Sequence, residues 1–191
     1  KKILVLGGGG YVGTVLVEKL LKMNHTVRVF DLFIYGNNLV NSKNIEIVKG
    51  DIRSKEDIKK IFKDINIVYH LACISNDPSF ELNPKLSKSI NYDSFEPIVK
   101  LAKDNGVERF IYASSSSVYG LRDEIEINEE LELKPLTDYS KYKALCEDIL
   151  IRESNREFNI LIARPATVCG YSKRLRLDLT VNILTINAIN K

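Results

Sequence analysis

A run of glycines near the start of the chain limits the possible folds more than any other feature. The segment VLGGGGYVG places Gly7, Gly10 and Gly13 three residues apart, directly after the apolar stretch KKILVL. Glycine allows a tight turn, and the positive end of a helix that begins there attracts a pyrophosphate. The third glycine lets this helix pack closely against the strand. The pattern therefore predicts a strand, a turn and a helix that together hold a dinucleotide.

Six short apolar runs recur along the chain: KKILVL, TVRVFD, IEIVKGD, INIVYHLA, RFIYASS and FNILIARP. Such runs are typical of strands that are buried on both faces of a parallel sheet. Helical patterns lie between or after them, over residues 11–23, 55–63, 86–104, 138–153 and 178–189. The alternation predicts an α/β fold, a doubly wound Rossmann-type parallel sheet with helices on both faces.

Two details of the pattern make this prediction more specific. Apolar residues recur at helical spacing in the first helix and should form its buried face: Val12, Leu16, Leu20 and Met23. The connection over residues 32–44 is polar and contains YGNN, so we expect a loop there.

Composition argues against several classes of protein. The chain has 191 residues, of which 45% are hydrophobic and 28% charged, as expected for one globular domain. Its 28 basic and 25 acidic residues leave a net charge of +3, which gives no reason to expect nucleic acid as a partner. The apolar runs are too short to span a membrane. The three cysteines are far apart and the two histidines complete no metal-ligand spacing, so we expect reduced thiols, no metal site and a cytoplasmic protein.

An acidic residue at the end of the second predicted strand indicates which dinucleotide is bound. Asp31 lies close to the spacing expected of a carboxylate that binds a ribose diol. A 2′-phosphate would meet a negative charge there, and no arginine follows directly, so NAD is favoured over NADP. Further cofactor contacts are expected after the third and fourth strands, at Asp51, Ile52, Leu71 and Ala72. The alternative is a glycine-rich turn with a helix-capping aspartate and ordinary strand ends.

Six motifs together give the chain a family resemblance: GGGGYVG, GDIR, HLAC, FIYASSSSVYG, YSKYK and ARPATVCGYS. In this order and spacing, over nearly the whole chain, they resemble the extended short-chain dehydrogenase/reductases of the nucleotide-sugar epimerase/dehydratase group. Members of that group are usually longer and carry a C-terminal substrate lobe. The resemblance therefore implies that residues 1–165 form a NAD-binding Rossmann domain that contains the catalytic residues. Residues 166–191 would be the start of a substrate-binding lobe that is largely absent from this chain.

The resemblance also implies roles for individual residues. Tyr139 and Lys143 match the Tyr-x-x-x-Lys pair of the family, and Ser115 matches its catalytic serine or threonine. Asn91 matches an asparagine that helps to order the cofactor region. The other expected cofactor contacts are Tyr11, Val12 and Pro165. The expected substrate contacts are Ser75, Asn76, Ser116, Thr167, Arg176 and Asn182.

Three of the expected substrate contacts have a simpler explanation. Ser75 and Asn76 lie in a segment with Asp-Pro and Asn-Pro turns, which explains their presence equally well. Arg176 belongs to the basic cluster SKRLRLD, which is either a solvated surface or a group that attracts an anionic sugar nucleotide.

The implied chemistry needs a base that can accept a proton from a sugar hydroxyl. A free tyrosine has a pKa of about 10, and a cation beside it should lower that value by stabilising the phenolate. Lys143 follows Tyr139 by four residues, on the same helix face, and would also hold the nicotinamide ribose. Ser115 would hydrogen-bond the reacting oxygen. The alternatives are a solvated helix start, or Tyr142 as the phenol in a different register.

The serines after the predicted catalytic serine distinguish reactions within the family. Related 4,6-dehydratases commonly have an acidic residue there, whereas this chain has Ser116 and Ser117, neither of which titrates usefully. Dehydration is therefore disfavoured, and the resemblance implies a nucleotide-sugar epimerase that oxidises C4 transiently, or a 4-dehydrogenase. The alternatives are a dinucleotide-binding regulator without turnover and an NADPH-dependent ketone reductase, and Asp31 argues against the latter. The homodimer usual in the family would form a four-helix bundle from residues 84–104 and 138–155.

Overall fold

The computed structural model describes residues 1–124 and 126–190. It contains six strands: β1 (Lys2–Leu6), β2 (Thr26–Asp31), β3 (Ile45–Lys49), β4 (Ile67–His70), β5 (Arg109–Ala113) and β6 (Asn159–Ala163). They form one sheet in the order β3-β2-β1-β4-β5-β6, and every neighbouring pair is parallel. Each strand lies within one of the six predicted apolar runs, so the predicted Rossmann-type sheet is confirmed.

The strand order changes direction at the centre of the sheet. From β1 the chain proceeds outwards to β2 and β3, and it then returns to β4 on the other side of β1. The connections that leave β1 and β4 therefore run in opposite directions, and a crevice opens between them at the carboxyl ends of the strands. Leu6 pairs with His70 in the register of these two strands, so the crevice begins directly after these residues.

Helices connect the strands, and capping residues explain where two of them begin. The α-helices are α1 (Tyr11–Lys22), α2 (Lys55–Ile61), α3 (Asp77–Glu81), α4 (Pro84–Lys88), α5 (Phe95–Asp104), α6 (Asp138–Glu153) and α7 (Thr180–Ile189). The Ser54 side chain caps α2 by accepting a hydrogen bond from Asp57 N. Thr137 and Ser140 form a reciprocal capping box that fixes the start of α6, the helix that carries Tyr139. Within the described residues, none of these helices is both long enough and apolar enough to cross a membrane.

The residues of β1 alternate between two hydrophobic clusters. Leu4 and Leu6 pack in the cluster shared with α2, α5 and α6, whereas Ile3 and Val5 pack in the cluster shared with α1. Each of these four side chains is at most 1% exposed. Full burial of a side chain of this size contributes roughly 1.5–3 kcal/mol relative to exposure. The alternation holds helices on both faces of the sheet, as predicted.

The buried face of α1 agrees with the prediction at Leu16 and Leu20 and differs from it at Val12 and Met23. Val12 and Met23 are 42% and 66% exposed, whereas Thr14 and Val17 are buried. Gly13 packs against the backbone of the glycine turn, and this close contact rotates the helix so that Val12 faces away from the core. The close approach of two backbones therefore decides which way the first turn of the helix faces, against the apolar spacing there.

Two further predictions about the elements need correction. β3 and β6 are not buried on both faces, since Ile47 and Leu161 are 42% and 48% exposed. The reason is that these strands form the two edges of the sheet. The helix predicted over residues 86–104 is divided into α4, a π-helical turn (Ser89–Asp93) and α5. A short 3₁₀ turn (Ser116–Tyr119), which the sequence pattern did not predict, follows β5.

Candidate active site

The crevice between β1 and β4 widens into a cleft of about 1110 Å³ at the carboxyl edge of the sheet. Pockets for small ligands commonly have volumes of roughly 300–1,000 Å³, so this cleft has room for an extended molecule. It is lined by the segments that follow β1, β2, β3, β4, β5 and β6 and by the first turns of α1 and α6. Every predicted site residue lies on its wall except Asn91 and Asn182.

The glycine turn forms one end of the cleft. Gly7 has a φ of +81°, a conformation that favours glycine, and a Cβ there would lie 2.6 Å from the backbone nitrogen of Ala72. A Cβ on Gly13 would overlap the carbonyl oxygen of Gly7. No side chain of the described residues caps α1 at Gly10, so the first N–H groups of the helix are available to an anion. This backbone cradle fits the phosphates of a dinucleotide.

Asp31 lies beside the glycine turn at the end of β2. One of its carboxylate oxygens accepts a hydrogen bond from Gly9 N at 3.0 Å, and the other accepts one from Phe33 N at 2.8 Å. The two bonds hold the carboxylate in a fixed orientation, and each oxygen keeps a lone pair for a ribose hydroxyl. Asp31 therefore fits a cofactor whose ribose diol is free.

The other predicted cofactor residues are distributed along the walls of the cleft. Tyr11, Val12, Asp51, Ile52, Leu71, Ala72 and Pro165 all line the cleft. Arg53 donates hydrogen bonds to the Asp51 carboxylate, and this lowers the pKa of Asp51. Asp51 therefore stays ionised at neutral pH, with its charge partly satisfied by Arg53.

Tyr139 and Lys143 lie one helical turn apart on α6, and both line the cleft. Their side chains are well buried, at 8% and 4% exposure of the residue. The Lys143 ammonium donates a hydrogen bond of 2.7 Å to the carbonyl oxygen of Ala113 at the end of β5. It also lies 4.9 Å from the ring centre of Tyr112 and 5.7 Å from that of Tyr139. The lysine is thus anchored to the strand, close to the phenol ring.

The pKa of Tyr139 is raised, and the expectation that it would be lowered is wrong for this structure. Burial is the largest cause, and the neighbouring Cys73 adds to it, whereas the hydroxyl of Ser115 and the charge of Arg176 act in the opposite direction. The physical reason is that the Lys143 ammonium is bonded to the strand carbonyl and lies 5.7 Å from the ring, so removal from water outweighs its attraction for the phenolate. In this cleft the phenol is protonated near neutral pH.

Ser115 lies directly after β5 and caps the 3₁₀ turn. Its Oγ accepts hydrogen bonds from the backbone N and the Oγ of Ser117, at 3.2 and 2.8 Å. The next residue, Ser116, donates from its backbone N to the carbonyl oxygen of Pro165 at 2.9 Å. Ser115 and Ser116 both line the cleft near Tyr139. The hydroxyls of Ser115 and Tyr139 are therefore neighbours in the cleft, as the sequence predicted.

The opposite end of the cleft is made by loops. Arg176 Nη1 donates to Ser75 Oγ at 2.6 Å, and its other nitrogens pair with Asp178. Asn76 Nδ2 donates to Asp178 Oδ2 at 3.4 Å. Thr167 lines the same end. The predicted substrate residues Ser75, Asn76 and Arg176 therefore lie together, joined through Asp178 by a network of polar side chains. Their contact with a substrate, like that of Thr167, remains a prediction.

Two predicted residues have buried structural positions outside the lining of the cleft. Asn91 uses its amide to bind the backbone of Ile74, with Oδ1 accepting at 2.8 Å and Nδ2 donating at 2.9 Å. It thereby orders the loop after β4, which agrees with its predicted role. Asn182 Nδ2 donates to the Tyr11 hydroxyl at 3.1 Å, and its Oδ1 accepts from Gly170 N at 3.0 Å. Asn182 therefore joins residues 170–182 to α1, and the predicted contact with a substrate diphosphate has no support in this geometry.

Several cleft residues were not predicted as site residues. The loop over residues 32–36 lines the cleft, and so do Cys73, Asp77 and Arg174. The guanidinium carbon of Arg174 lies 3.8 Å from the ring centre of Tyr35 in that loop. The available signal was topological, because any loop that leaves the carboxyl end of a central strand borders the crevice.

Tyr142 and His70, two aromatic residues near the cleft, have clear structural positions. Tyr142, the alternative phenol, stacks on Phe80 with ring centroids 5.8 Å apart and does not line the cleft. His70 is 2% exposed and packs against Phe95 with ring centroids 5.1 Å apart. Burial, together with the charge of Lys143, lowers the pKa of His70 to about 3. His70 is therefore neutral near pH 7. Separately, the described residues contain no group of three or more histidine, cysteine or acidic side chains that could hold a metal ion.

Comparisons with known proteins relate this chain to one protein family. Residues 3–191 match the NAD dependent epimerase/dehydratase family. A putative UDP-glucose 4-epimerase of Methanocaldococcus jannaschii is 34% identical over 173 residues, which are 88% of this chain and 56% of that protein. The decarboxylating sterol-4-alpha-carboxylate 3-dehydrogenase of Homo sapiens is 29% identical over 177 residues, which are 89% of this chain and 46% of that protein.

A solved structure extends the likeness to the fold. The UDP-glucuronic acid 4-epimerase from Bacillus cereus, solved with UDP-glucuronic acid and NAD, is 29% identical with a TM-score of 0.86. The match covers 100% of this chain and 63% of that chain. The chain spans about half the length of the curated relatives it matches. The family description names NAD, the cofactor that the glycine turn and Asp31 predict, and the chain belongs to the NAD dependent epimerase/dehydratase family.

Proposed function

We propose that the protein is a NAD-dependent nucleotide-sugar 4-epimerase that acts by transient oxidation at C4 of the sugar. One observation carries the proposal: Ser115, Tyr139 and Lys143 line the same cleft as the glycine turn and Asp31. A regulator that only binds a dinucleotide could use Lys143 to hold a ribose, but it has no need for these three residues together. The names of relatives support the substrate class, since they include UDP-sugar 4-epimerases.

The residues of one end of the cleft would hold the cofactor. The turn at Gly7 and Gly13 and the N-terminus of α1 would bind the pyrophosphate, and Asp31 would bind the adenosine ribose. Lys143, near the centre of the cleft, would hold the second ribose. When bound there, NAD supplies a reversible acceptor for the hydride on C4 of the sugar.

Tyr139 and Ser115 would handle the proton of the C4 hydroxyl. Both side chains line the cleft, and the Ser115 hydroxyl lies close enough to lower the pKa of Tyr139. Because burial raises that pKa, the phenol needs further positive charge to ionise near neutral pH. Lys143 Nζ lies 5.7 Å from the ring, and the charge of Arg176 also lowers the pKa. Substrate binding that moves either cation closer to the phenol would favour the phenolate.

An epimerase differs from the alternatives in what happens after oxidation. Ser116 and Ser117, at the start of the 3₁₀ turn, offer no acid and base for the elimination of water. An epimerase returns the hydride to the opposite face of C4, so it consumes no NAD overall. A 4-dehydrogenase stops after oxidation, and a sterol-type dehydrogenase would act on a different substrate at a similar cleft.

The test is to incubate the full chain with a catalytic amount of NAD and, separately, with UDP-glucose, UDP-N-acetylglucosamine and UDP-glucuronic acid. Nuclear magnetic resonance of the sugar ring follows the configuration at C4, and absorbance follows NADH. The expected result is inversion at C4 for at least one sugar without accumulation of NADH. Stoichiometric NADH without inversion would instead assign a dehydrogenase, and NAD binding without any turnover would assign a regulator.

The proposed assembly is a homodimer built on α5 and α6. These helices pack side by side and are joined by an ion pair of 3.0 Å between Glu96 and Arg152. Leu145 and Ile151 on α6 are 41% and 59% exposed, so the outer surface of the pair carries apolar side chains. Light scattering of the Ile151→Glu variant should show a monomer. The matched variant Leu121→Glu, at an exposed apolar residue elsewhere, should remain a dimer.

Residues 166–191 would contribute to a substrate-binding lobe. Within the described part of this range, the residues that line the cleft are Ala166, Thr167, Val168, Arg174, Arg176, Asp178 and Leu179. Lys191, the last residue of the predicted range, lies outside the described residues.

A further inference from the structure

A buried carboxylate lies one helical turn beyond Lys143. Glu147 on α6 is 1% exposed. Its Oε1 accepts from Arg164 Nε at 3.1 Å, and its Oε2 accepts from Arg164 Nη2 at 2.6 Å. The Ser114 hydroxyl donates to the same Oε1. The proposed reaction does not use Glu147, so its presence in the interior needs an explanation.

A buried ion pair is poor evidence of stabilisation in itself. Desolvation of two charges can cost more than their attraction returns, and apolar residues of similar size often serve equally well. An apolar pair at these positions could not accept the hydrogen bond from Ser114, however. Glu147 and Arg164 therefore provide something specific, namely a fixed acceptor for the residue that immediately precedes Ser115.

The strand end around Ser115 is held on both sides. Ala113 O accepts from Lys143 Nζ at 2.7 Å, and Ser114 N donates to Ala163 O at 2.8 Å. Ser116 N donates to Pro165 O at 2.9 Å. Two of these bonds cross from the strand end to α6: the bond from Lys143 to Ala113 and the bond from the Ser114 side chain to Glu147. The second is made by the residue next to Ser115.

The same helix face carries the residues that must meet Ser115. Tyr139, Lys143 and Glu147 follow each other at four-residue intervals along α6, and all three are buried. Arg164 reaches a third element as well, because its Nη1 donates to the Tyr119 hydroxyl at 2.8 Å at the end of the 3₁₀ turn. Glu147 is thus the point at which α6, the end of β5 and the segment after β6 are joined.

We propose that Glu147 is a positioning residue: held by Arg164, it fixes Ser114 and thereby the spacing between Ser115 and Tyr139. The inference rests on the proposed function only in so far as Ser115 and Tyr139 act on one substrate hydroxyl. Misplacement of a reacting group by about 1 Å can reduce a rate about 100-fold. Loss of the bond should therefore reduce kcat with little effect on ligand affinity.

The test uses Ser114→Ala in the full chain, because this change removes the hydroxyl and leaves the ion pair of Glu147 and Arg164 in place. We expect kcat to fall about tenfold or more, while KM and the Kd for NAD stay within about twofold. Ser114→Thr keeps the hydroxyl and should retain most of the activity. Ser94→Ala is the matched control, since Ser94 is a buried serine whose hydroxyl donates to Ile90 O in the adjoining π-helical turn at 2.8 Å. An unchanged kcat in Ser114→Ala, or an equal loss in Ser94→Ala, would overturn the proposal.

A second measurement separates this inference from the proposed function. The Ser115 hydroxyl lowers the pKa of Tyr139, whereas Cys73, Asp77 and Arg176 act on it independently of Ser114. Ser114→Ala should therefore raise the pKa of the Tyr139 phenol, measured by ultraviolet difference titration against Tyr139→Phe in each background. This titration needs no turnover. If the protein proves to have no epimerase activity, a raised pKa still supports the positioning role, and an unchanged pKa contradicts it.

Discussion

The two ends of the cleft are constructed in different ways. At the glycine turn the backbone itself forms the site, and a Cβ on Gly7 would lie 2.6 Å from the neighbouring Ala72 nitrogen. At the other end, side chains from distant segments form it, as in the bond between Arg176 and Ser75. A backbone site tolerates no added atom, whereas a side-chain site can lose one bond and keep its shape. The first end should therefore respond to substitution sharply and the second by degrees.

The largest effect is expected at the backbone end. In Gly13→Val the new side chain must displace the turn at Gly7, which is the predicted phosphate cradle. We expect the affinity for NAD to fall about 1,000-fold, equivalent to about 4 kcal/mol, as measured by calorimetry. Gly106→Ala is the control for a loss of stability alone, because its φ of +73° strains an added side chain while nothing lies within 4 Å of the new Cβ and Gly106 does not line the cleft. Equal NAD affinities in the two variants would show that the turn is not the cradle.

A smaller effect, on stability, is expected at His70, which is buried at the end of β4. Its pKa in the folded protein is about 3, below the value of about 6.5 for an unfolded chain. Protons therefore bind the unfolded state preferentially between these values, and stability is lost as the pH falls below about 6.5. Since one pKa unit corresponds to about 1.4 kcal/mol, the wild type should lose about 3 kcal/mol more than His70→Leu between pH 6.5 and pH 4.

Urea unfolding at each pH measures this difference, with His25→Leu as the matched control for the removal of a histidine. Parallel loss of stability in the wild type and in His70→Leu would mean that His70 is not the buried neutral group described above.

The smallest effect is expected at Asp31, whose side chain lies beside the glycine turn at the backbone end of the cleft. The carboxylate should favour a free ribose diol over a 2′-phosphate, because the phosphate would be repelled. In Asp31→Asn the preference for NAD over NADP should fall about tenfold, equivalent to about 1.4 kcal/mol. Affinities for both cofactors measure it, and Asp104→Asn, an exposed residue at the end of α5, is the control. A preference that does not change would move the origin of cofactor choice away from β2.

The backbone end could be predicted from the sequence because its information is local. The glycine spacing, Asp31 and each apolar run are contained in short segments, and the structure confirms the sheet that the runs imply. The Tyr139–Lys143 pair is similarly local, since two residues that are four positions apart on a helix lie on the same face. For α1 the apolar spacing correctly predicted Leu16 and Leu20 but not the exposure of Val12, because the contact between Gly13 and the turn decides which way the first turn of the helix faces.

The other end could not be predicted because its contacts join distant segments. Arg176 bonds to Ser75 from a position 101 residues away, and Asn76 bonds to Asp178 from a position 102 residues away. No pattern within one segment shows such pairs. The direction of the pKa shift of Tyr139 was also out of reach, because it depends on how completely the phenol is buried.

The most direct test of the central claim is the rate of C4 oxidation by Tyr139→Phe in the full chain loaded with NAD. The variant lacks only the hydroxyl that accepts the proton, and the ring keeps its packing against Phe80. The account predicts an unchanged Kd for NAD and a rate reduced by about 1,000-fold, within the range typical of general acid–base groups. A rate within about tenfold of the wild type would contradict the assignment of Tyr139 as the group that takes the proton.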